Sequence, residues 1–309
     1  MDFGSINPVV LLASLMVAST PILLAALGEM VVEKSGVLNL GVEGMMITGA
    51  VCGFIVAVES GSPTLGFIAA AIGGMALSMV FALLTQVFLT TQVPAGLALT
   101  LMGVGLASLL GQNYQGLKPP PVTDLNIPGL DHIPVIGPIL FQHDMIVYVS
   151  LLSIAGVWAF LKYSRAGLIL RAVGENHSAA HALGYPVRMV RIVAIGFGGA
   201  MAGLGGAYIS LIRVPQWTDG ITAGYGWIAL AIVVFASWKA WRILIGAYLF
   251  GGITVLQLNL QAAGAKVPVE LLSMSPFLAT IVVLVVISAR RHGASNAPAM
   301  LGRIFHASH

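Results

Sequence analysis

Polar side chains able to do chemistry gather in one short stretch, Gly28 to Met46, "GEMVVEKSGVLNLGVEGMM". It holds three glutamates, one lysine, one asparagine and four glycines between nearly pure apolar runs. Ionisable groups inside a membrane can relay protons or ions, and irregular backbone at that depth lines a cavity or is buried in protein. The first eight residues, "GEMVVEKS", match a phosphate loop at Gly28, Lys34 and Ser35. Glu33 stands where the second glycine of the backbone nest is required, and an acid there repels phosphate. ATP binding by this chain is therefore not expected. His177 and His181 are four apart, a spacing that can hold zinc on one helix face. Glu175 is the only local further ligand, so a solvated pair is the simpler reading and no metal site is expected. Arg213, Trp217 and Asp219 read as a membrane border rather than a substrate contact. Cys52, the single cysteine, lies in an apolar run and reads as a packed thiol. Nothing in the sequence assembles a nucleophile, a catalytic carboxylate pair or a cysteine cluster, so no catalytic residue is expected.

The elements that must position these groups follow from composition. The 309 residues are 58% hydrophobic and 8% charged, and mean hydropathy is +0.97. A soluble domain carries roughly 25% charged residues, so the chain is expected to be a polytopic membrane protein. Its apolar runs must be helices, because backbone in lipid has to satisfy its own hydrogen bonds. Spans are expected near 8–28, 36–58, 64–89, 92–112, 144–161, 192–212, 226–238, 243–258 and 275–289. This is an all-α transmembrane helical bundle of about eight or nine segments, and the short runs within 226–258 suggest half-helices, since a full span needs about 20 residues.

Lysine and arginine set the expected orientation. Segment 162–191 holds Lys162, Arg165, Arg171, Arg188 and Arg191 against one acid, Glu175, and is placed in the cytoplasm. Lys239, Arg242, Arg290, Arg291 and Arg303 then fall on the same side, giving eleven cations inside, with Lys34, and three outside, Lys118, Arg213 and Lys266. The C-terminus is placed inside, and stretch 29–44 is either inside or re-entrant. Loop 113–143, "LKPPPVTDLNIPGLDHIPVIGP" in its later part, is a proline-stiffened outer connector. Residues 1–289 read as a single transmembrane domain, and 290–309 as a basic tail, disordered by composition. Small residues recur at intervals of four, at Gly103, Ala107 and Gly111 and again at Gly199, Gly203 and Ala207. That spacing lets helices approach closely, within the chain or between subunits.

Three stretches carry a resemblance. The segment "KYSRAGLILRAVGENHSAAHALGYPVRMVRIVAIGFGGAMAGLGGAYIS" resembles the cytoplasmic coupling region of bacterial ABC importer permeases, the family serving branched-chain amino acids, simple sugars and nucleosides. Arg171, Ala172, Gly174, Glu175, Asn176, Ala179, Ala180 and Gly184 carry the match. "EKSGVLNLGVEGMMITGA" resembles the same family's N-terminal motif, in its nucleoside and simple-sugar form, through Gly36, Asn39, Gly41, Glu43 and Gly44. "GYGWIALAIVVFASWKAWRILIGAYLFGG" matches a third motif at Ile228 to Ala231 and Gly246 to Gly252, although its "ASWKAWR" turn departs from the glycine-rich form.

The resemblance implies a type II-like permease subunit in the bacterial inner membrane. Two permeases, alike or different, would form the pathway. ATP and magnesium would be bound by separate cytoplasmic ATPases, and an external binding protein would deliver a nucleoside or related purine or ribose compound. A simple-sugar permease is the alternative substrate reading. A secondary transporter driven by an ion gradient is a third reading, and it would want ionisable groups deep in the spans. The coupling role falls on Arg171, Gly174, Glu175, Asn176, Ala179, Ala180 and Gly184. If the stretch "SGVLNLGVEG" is a broken helix, Asn39 and Glu43 face a polar pathway beside Gly36, Gly41 and Gly44. A plain cytoplasmic loop is the alternative.

Overall fold

In the computed structural model, described for residues 8–126, 136–262 and 297–306 and for isolated positions between 268 and 285, helices dominate. They are α1 (Pro8–Lys34), α2 (Val42–Ser60), α3 (Pro63–Ala82, prolonged by a π-helical turn Leu83–Val87) and α4 (Gln92–Gly111, prolonged by a 3-10 turn to Tyr114). After the outer loop, with short strands β1 (Asp124–Asn126) and β2 (Gln142–Asp144) paired antiparallel around α5 (Ile136–Leu140), come α6 (Met145–Tyr163), α7 (Arg165–Glu175) and α8 (His177–Ala182). The last described helices are α9 (Val187–Tyr208, prolonged by a π-helical turn Ile209–Arg213), α10 (Tyr225–Phe235) and α11 (Ala240–Ala262). Among the described residues, seven helices are long and apolar enough to cross a membrane. The span expected at 275–289 lies outside the described residues apart from positions 278, 281, 282 and 285.

Local sequence explains the ends. Asp144 caps α6 by accepting from the amides of Ile146 and Val147 at 2.9 and 3.1 Å. Ser164 caps α7 through the amide of Gly167 at 2.9 Å, and Asn176 caps α8 through that of Ala179 at 2.9 Å. Each side-chain oxygen satisfies a donor that the first turn of a helix leaves open. Gly61, at φ 66°, closes α2 in the left-handed region that suits glycine.

Glycine contacts set helix packing and its direction. A Cβ built on Gly49 would stand 2.2 Å from the Cα of Gly203, and one on Gly74 would stand 2.2 Å from the carbonyl oxygen of Gly199. Helices α2, α3 and α9 thus touch through backbone. Both small-residue stripes are internal contacts: Gly103 lies against Gly44, and Gly111 against the indole of Trp217. Trp217 is 1% exposed, so it plugs the bundle instead of anchoring in the interface as its sequence position suggested.

Pairings of Gly49 with Gly203, Gly53 with Ala207 and Ala50 with Ser210 make α2 parallel to α9 and put Glu43 near Gly199, about halfway along α9. Gly28 facing Gly198, with Gly205 facing Pro21, makes α1 antiparallel to α9. Helix α1 therefore runs down to the end of the bundle that carries α7 and α8, which we refer to as the basic end. The chain then climbs irregularly through 35–41 before α2 begins. Glu29 and Glu33 lie in the final turns of α1 and are each 1% exposed.

The half-helix expectation holds for one of its two segments. Helix α10 has 11 residues and is about 16 Å long at 1.5 Å per residue. Helix α11 has 23 residues and is full length.

Candidate functional site

Two helix N-termini meet at Glu43. The residue lies in the first turn of α2. Its Oε1 accepts from the Thr222 hydroxyl at 2.9 Å, and its Oε2 accepts from the backbone N–H of Gly226 at 2.8 Å, in the first turn of α10. The positive ends of both helix dipoles favour an anion there. Only glycine fits at 226, where an added Cβ would stand 2.5 Å from the Glu43 backbone. Loop 214–224 therefore enters the bundle from the end of α9 and delivers α10 at mid-depth. The Arg213 guanidinium donates to the Tyr225 hydroxyl along this descent. Helix α10 then returns toward the basic end, where the Trp238 indole donates to Glu33 in the last turn of α1. The turn between α10 and α11 holds Ser237 at φ 54° and Trp238 at φ 55°, left-handed without glycine. The contact with Glu33 holds a conformation that costs an ordinary residue about 1–2 kcal/mol. This is how "ASWKAWR" makes its turn without glycine.

Asn39 sits in the break between α1 and α2. Its Oδ1 accepts from the Gly41 amide at 2.9 Å, and its backbone N–H and Nδ2 donate to the Glu29 carboxylate at 3.3 and 3.4 Å. Asn39 is fully buried and Glu43 is 6% exposed. In this conformation both face protein partners. Gly36, at φ +87°, sits where Arg191, Gly174 and Met300 converge, and Gly44 backs onto Leu99 and Thr100 of α4. The structure divides the sequence-selected set, with Gly36, Asn39 and Gly41 in the break and Glu43 and Gly44 in the first turn of α2. Sequence reasoning missed Thr222 and Gly226, far along the chain, because no local pattern links them to Glu43.

The basic end carries the second group of sequence-selected residues. Gly174 is pressed against the carbonyl of Lys34, which an added Cβ would approach to 2.1 Å. The segment around α8 thus abuts the start of the break. Ala180 turns inward and packs with Val173, Val187 and Phe305, whereas Ser178, Ala179, Ala182 and Leu183 face outward. Leu183 is 77% exposed. Gly184, at φ +87°, reverses the chain after α8 with open space around it. Glu175 is exposed, and Arg171 is half-buried. His177, read as solvated, is 9% exposed. Its Nδ1 lies 3.2 Å from the Arg191 guanidinium. Burial, and then the charges of Arg191 and Arg303, lower its pKa. Arg191, fully buried, also donates to the carbonyl of Ser35 at 3.2 Å, tying α9 to the break. Among the described residues no group of three or more possible metal ligands forms.

Residues 297–306, part of the tail expected to be disordered, instead cross this end of the bundle. The amide of Met300 donates to the carbonyl of Gly174 at 2.9 Å, and that of Gly302 donates to the carbonyl of Gly36 at 3.2 Å.

A bundle of apolar spanning helices, interrupted at mid-depth by a broken helix and a re-entrant half-helix, is the architecture of a membrane transport permease. Residues 11–287 match the family described as branched-chain amino acid transport system / permease component, and the chain belongs to that family. TsgC13 of Haloferax volcanii, whose name assigns it as a glucose ABC transporter permease protein, is 41% identical over 86% of this chain and 88% of its own length. The guanosine ABC transporter permease protein NupQ of Bacillus subtilis is 31% identical over 92% of this chain and 93% of its own. The nucleoside ABC transporter permease protein NupC of Lactococcus lactis subsp. cremoris is 30% identical over 89% and 91%. The first two organisms each hold a second similar permease protein, TsgB13 and NupP. The chain is thus a multi-pass ABC permease subunit.

Proposed function

We propose that this chain is half of the translocation pathway of an ATP-driven importer for a neutral, hydroxyl-rich solute, a nucleoside or a simple sugar. The observation that carries the mechanism is Glu43 joining the start of α2, just after the break, to half-helix α10 at mid-depth. Parting α10 from α2 would bring Glu43 and Thr222 to the path, with Asn39 in the adjoining break, so this junction is where access switches. Such a junction has two discrete arrangements, paired or parted, as alternating access requires. The basic end faces the cytoplasm, with the C-terminus on that side. A partner ATPase binds ATP and magnesium and docks on the outward face of α8. A second permease subunit completes the path, in keeping with the paired relatives, and an extracytoplasmic binding protein delivers the solute.

The motif around Asn39 and Glu43 fits nucleoside and simple-sugar permeases alike. The higher identity to the glucose-named relative favours the sugar reading. A complete importer reconstituted in vesicles should take up guanosine or glucose only with ATP inside and binding protein outside. Uptake without ATP that collapses when an ion gradient is dissipated would replace this reading with a secondary transporter.

A further inference from the structure

We infer that residues 297–306 are a coupling strap, which carries motion of the α8 dock to the broken helix at 35–41. The inference rests on the importer reading above. The strap is held to both of the elements that must move together, to the dock near its two ends and to the break at its middle. At the dock, the amide of Met300 donates to the Gly174 carbonyl at 2.9 Å, and that of Ala299 donates to Glu175 at 3.4 Å. Phe305, 4% exposed, lies between the rings of His177 and His181, at 5.2 and 5.3 Å. At the break, the amide of Gly302 donates to the Gly36 carbonyl at 3.2 Å. The Arg303 carbonyl accepts from Arg191 at 3.1 Å and from Gln92 at 3.4 Å. Gln92 accepts in turn from the Leu38 amide at 2.8 Å.

In each of these five bonds the strap uses a backbone amide or carbonyl of its own, and two of them end on backbone carbonyls, those of Gly174 and Gly36. A segment that only covered apolar surface would need Phe305 and none of the bonds to Gly36, Gln92 and Gly174. Motion of α8 drags Phe305 with its two histidines, and the strap passes the shift to Gly36 and, through Gln92, to Leu38. Packed elements joined in this way move as a unit with few intermediate positions.

The test uses the complete importer and reads solute imported per ATP hydrolysed. Phe305→Ala should keep the ATPase bound and hydrolysing while this ratio falls about tenfold, within the usual range of coupling energies. Phe305→Leu, which refills the space between the histidines, should restore most of it. In the wild type, hydrogen exchange at the Leu38 amide should respond to nucleotide, and in Phe305→Ala that response should vanish. A wild-type ratio in Phe305→Ala overturns the strap. Loss of ATPase capture in that variant also overturns it, because the segment would then only shape the dock. If Phe305→Ala does not accumulate in membranes, Gln92→Leu decides: the same fall in ratio supports the strap, and a wild-type ratio overturns it. A wild-type permease that captures no ATPase removes the importer reading itself, and the strap with it.

Discussion

The Thr222 hydroxyl donates a 2.9 Å hydrogen bond to the Glu43 carboxylate across 179 positions of sequence. Together with the Gly226 amide, it satisfies both oxygens of a buried acid at the meeting point of two helix N-termini. A paired buried charge is tolerated, whereas an unpaired one is costly. Glu43→Gln puts an amide donor against one of the two donors that hold the carboxylate and should cost about 1–3 kcal/mol. Thr222→Val should destabilise the wild type measurably and add little in the Glu43→Gln background, because the two share one contact. Thermal unfolding in detergent provides the cycle, and fully additive losses would show that the contact is not shared.

Glycine packing gives a second expectation. Gly49→Ala would drive a Cβ to 2.2 Å from the Gly203 backbone, whereas Gly105→Ala meets open space. The first should cost roughly 1–3 kcal/mol through overpacking. The second should be neutral or slightly stabilising, since alanine is the better helix former. Comparing the melting of the two variants checks this.

Orientation is tested by labelling. Ser178 and Thr123 are both exposed, at opposite ends of the bundle. A cysteine at Ser178 should react only from the cytoplasmic side and one at Thr123 only from outside. External labelling of Ser178 would invert the topology.

The two central alanines of α8 should separate docking from folding. Ala179 faces outward, so Ala179→Trp should block ATPase capture while leaving residues 297–306 protected from protease. Ala180, 3% exposed, faces Phe305. Ala180→Trp should expel that ring and expose the tail to cleavage. If the two variants behave alike, the assignment of faces is wrong.

His177 introduces a pH dependence. Its pKa is lowered in the fold, so between that value and the ordinary imidazole value of about 6.5 the unfolded chain takes up the proton first. The stability it contributes is present above about pH 6.5 and declines as pH falls below it. Melting temperature should therefore drop from pH 7.5 to 5.5 (two convenient buffer values about one unit either side of the imidazole value), and His177→Gln should flatten that slope. An unchanged slope would place the titration elsewhere.

Much of this molecule was legible in the chain. The apolar runs dictated helices, because backbone in lipid has no other partner. Glycines 36 and 41 marked a break, since residues without a Cβ weaken a helix, whereas Gly44, expected in it, lies inside α2; the run at 226–238 was too short to span. Sequence also selected the segment 162–191 and the small-residue stripes. Their contacts were open, because spacing defines a face without naming what covers it.

What only the tertiary structure decided are pairings across long separations. Glu43 with Thr222, Glu33 with Trp238 and Arg191 with Ser35 are invisible locally, since each depends on helix depth and rotation in the bundle. The tail looked disordered for the same reason. Residues 297–306 have little periodic pattern of their own, and their order comes from the carbonyls of Gly36 and Gly174 and from the two histidine rings around Phe305. A hydrophobic pattern encodes which elements form. The burial of a few polar groups, each requiring a partner, encodes how those elements lock together.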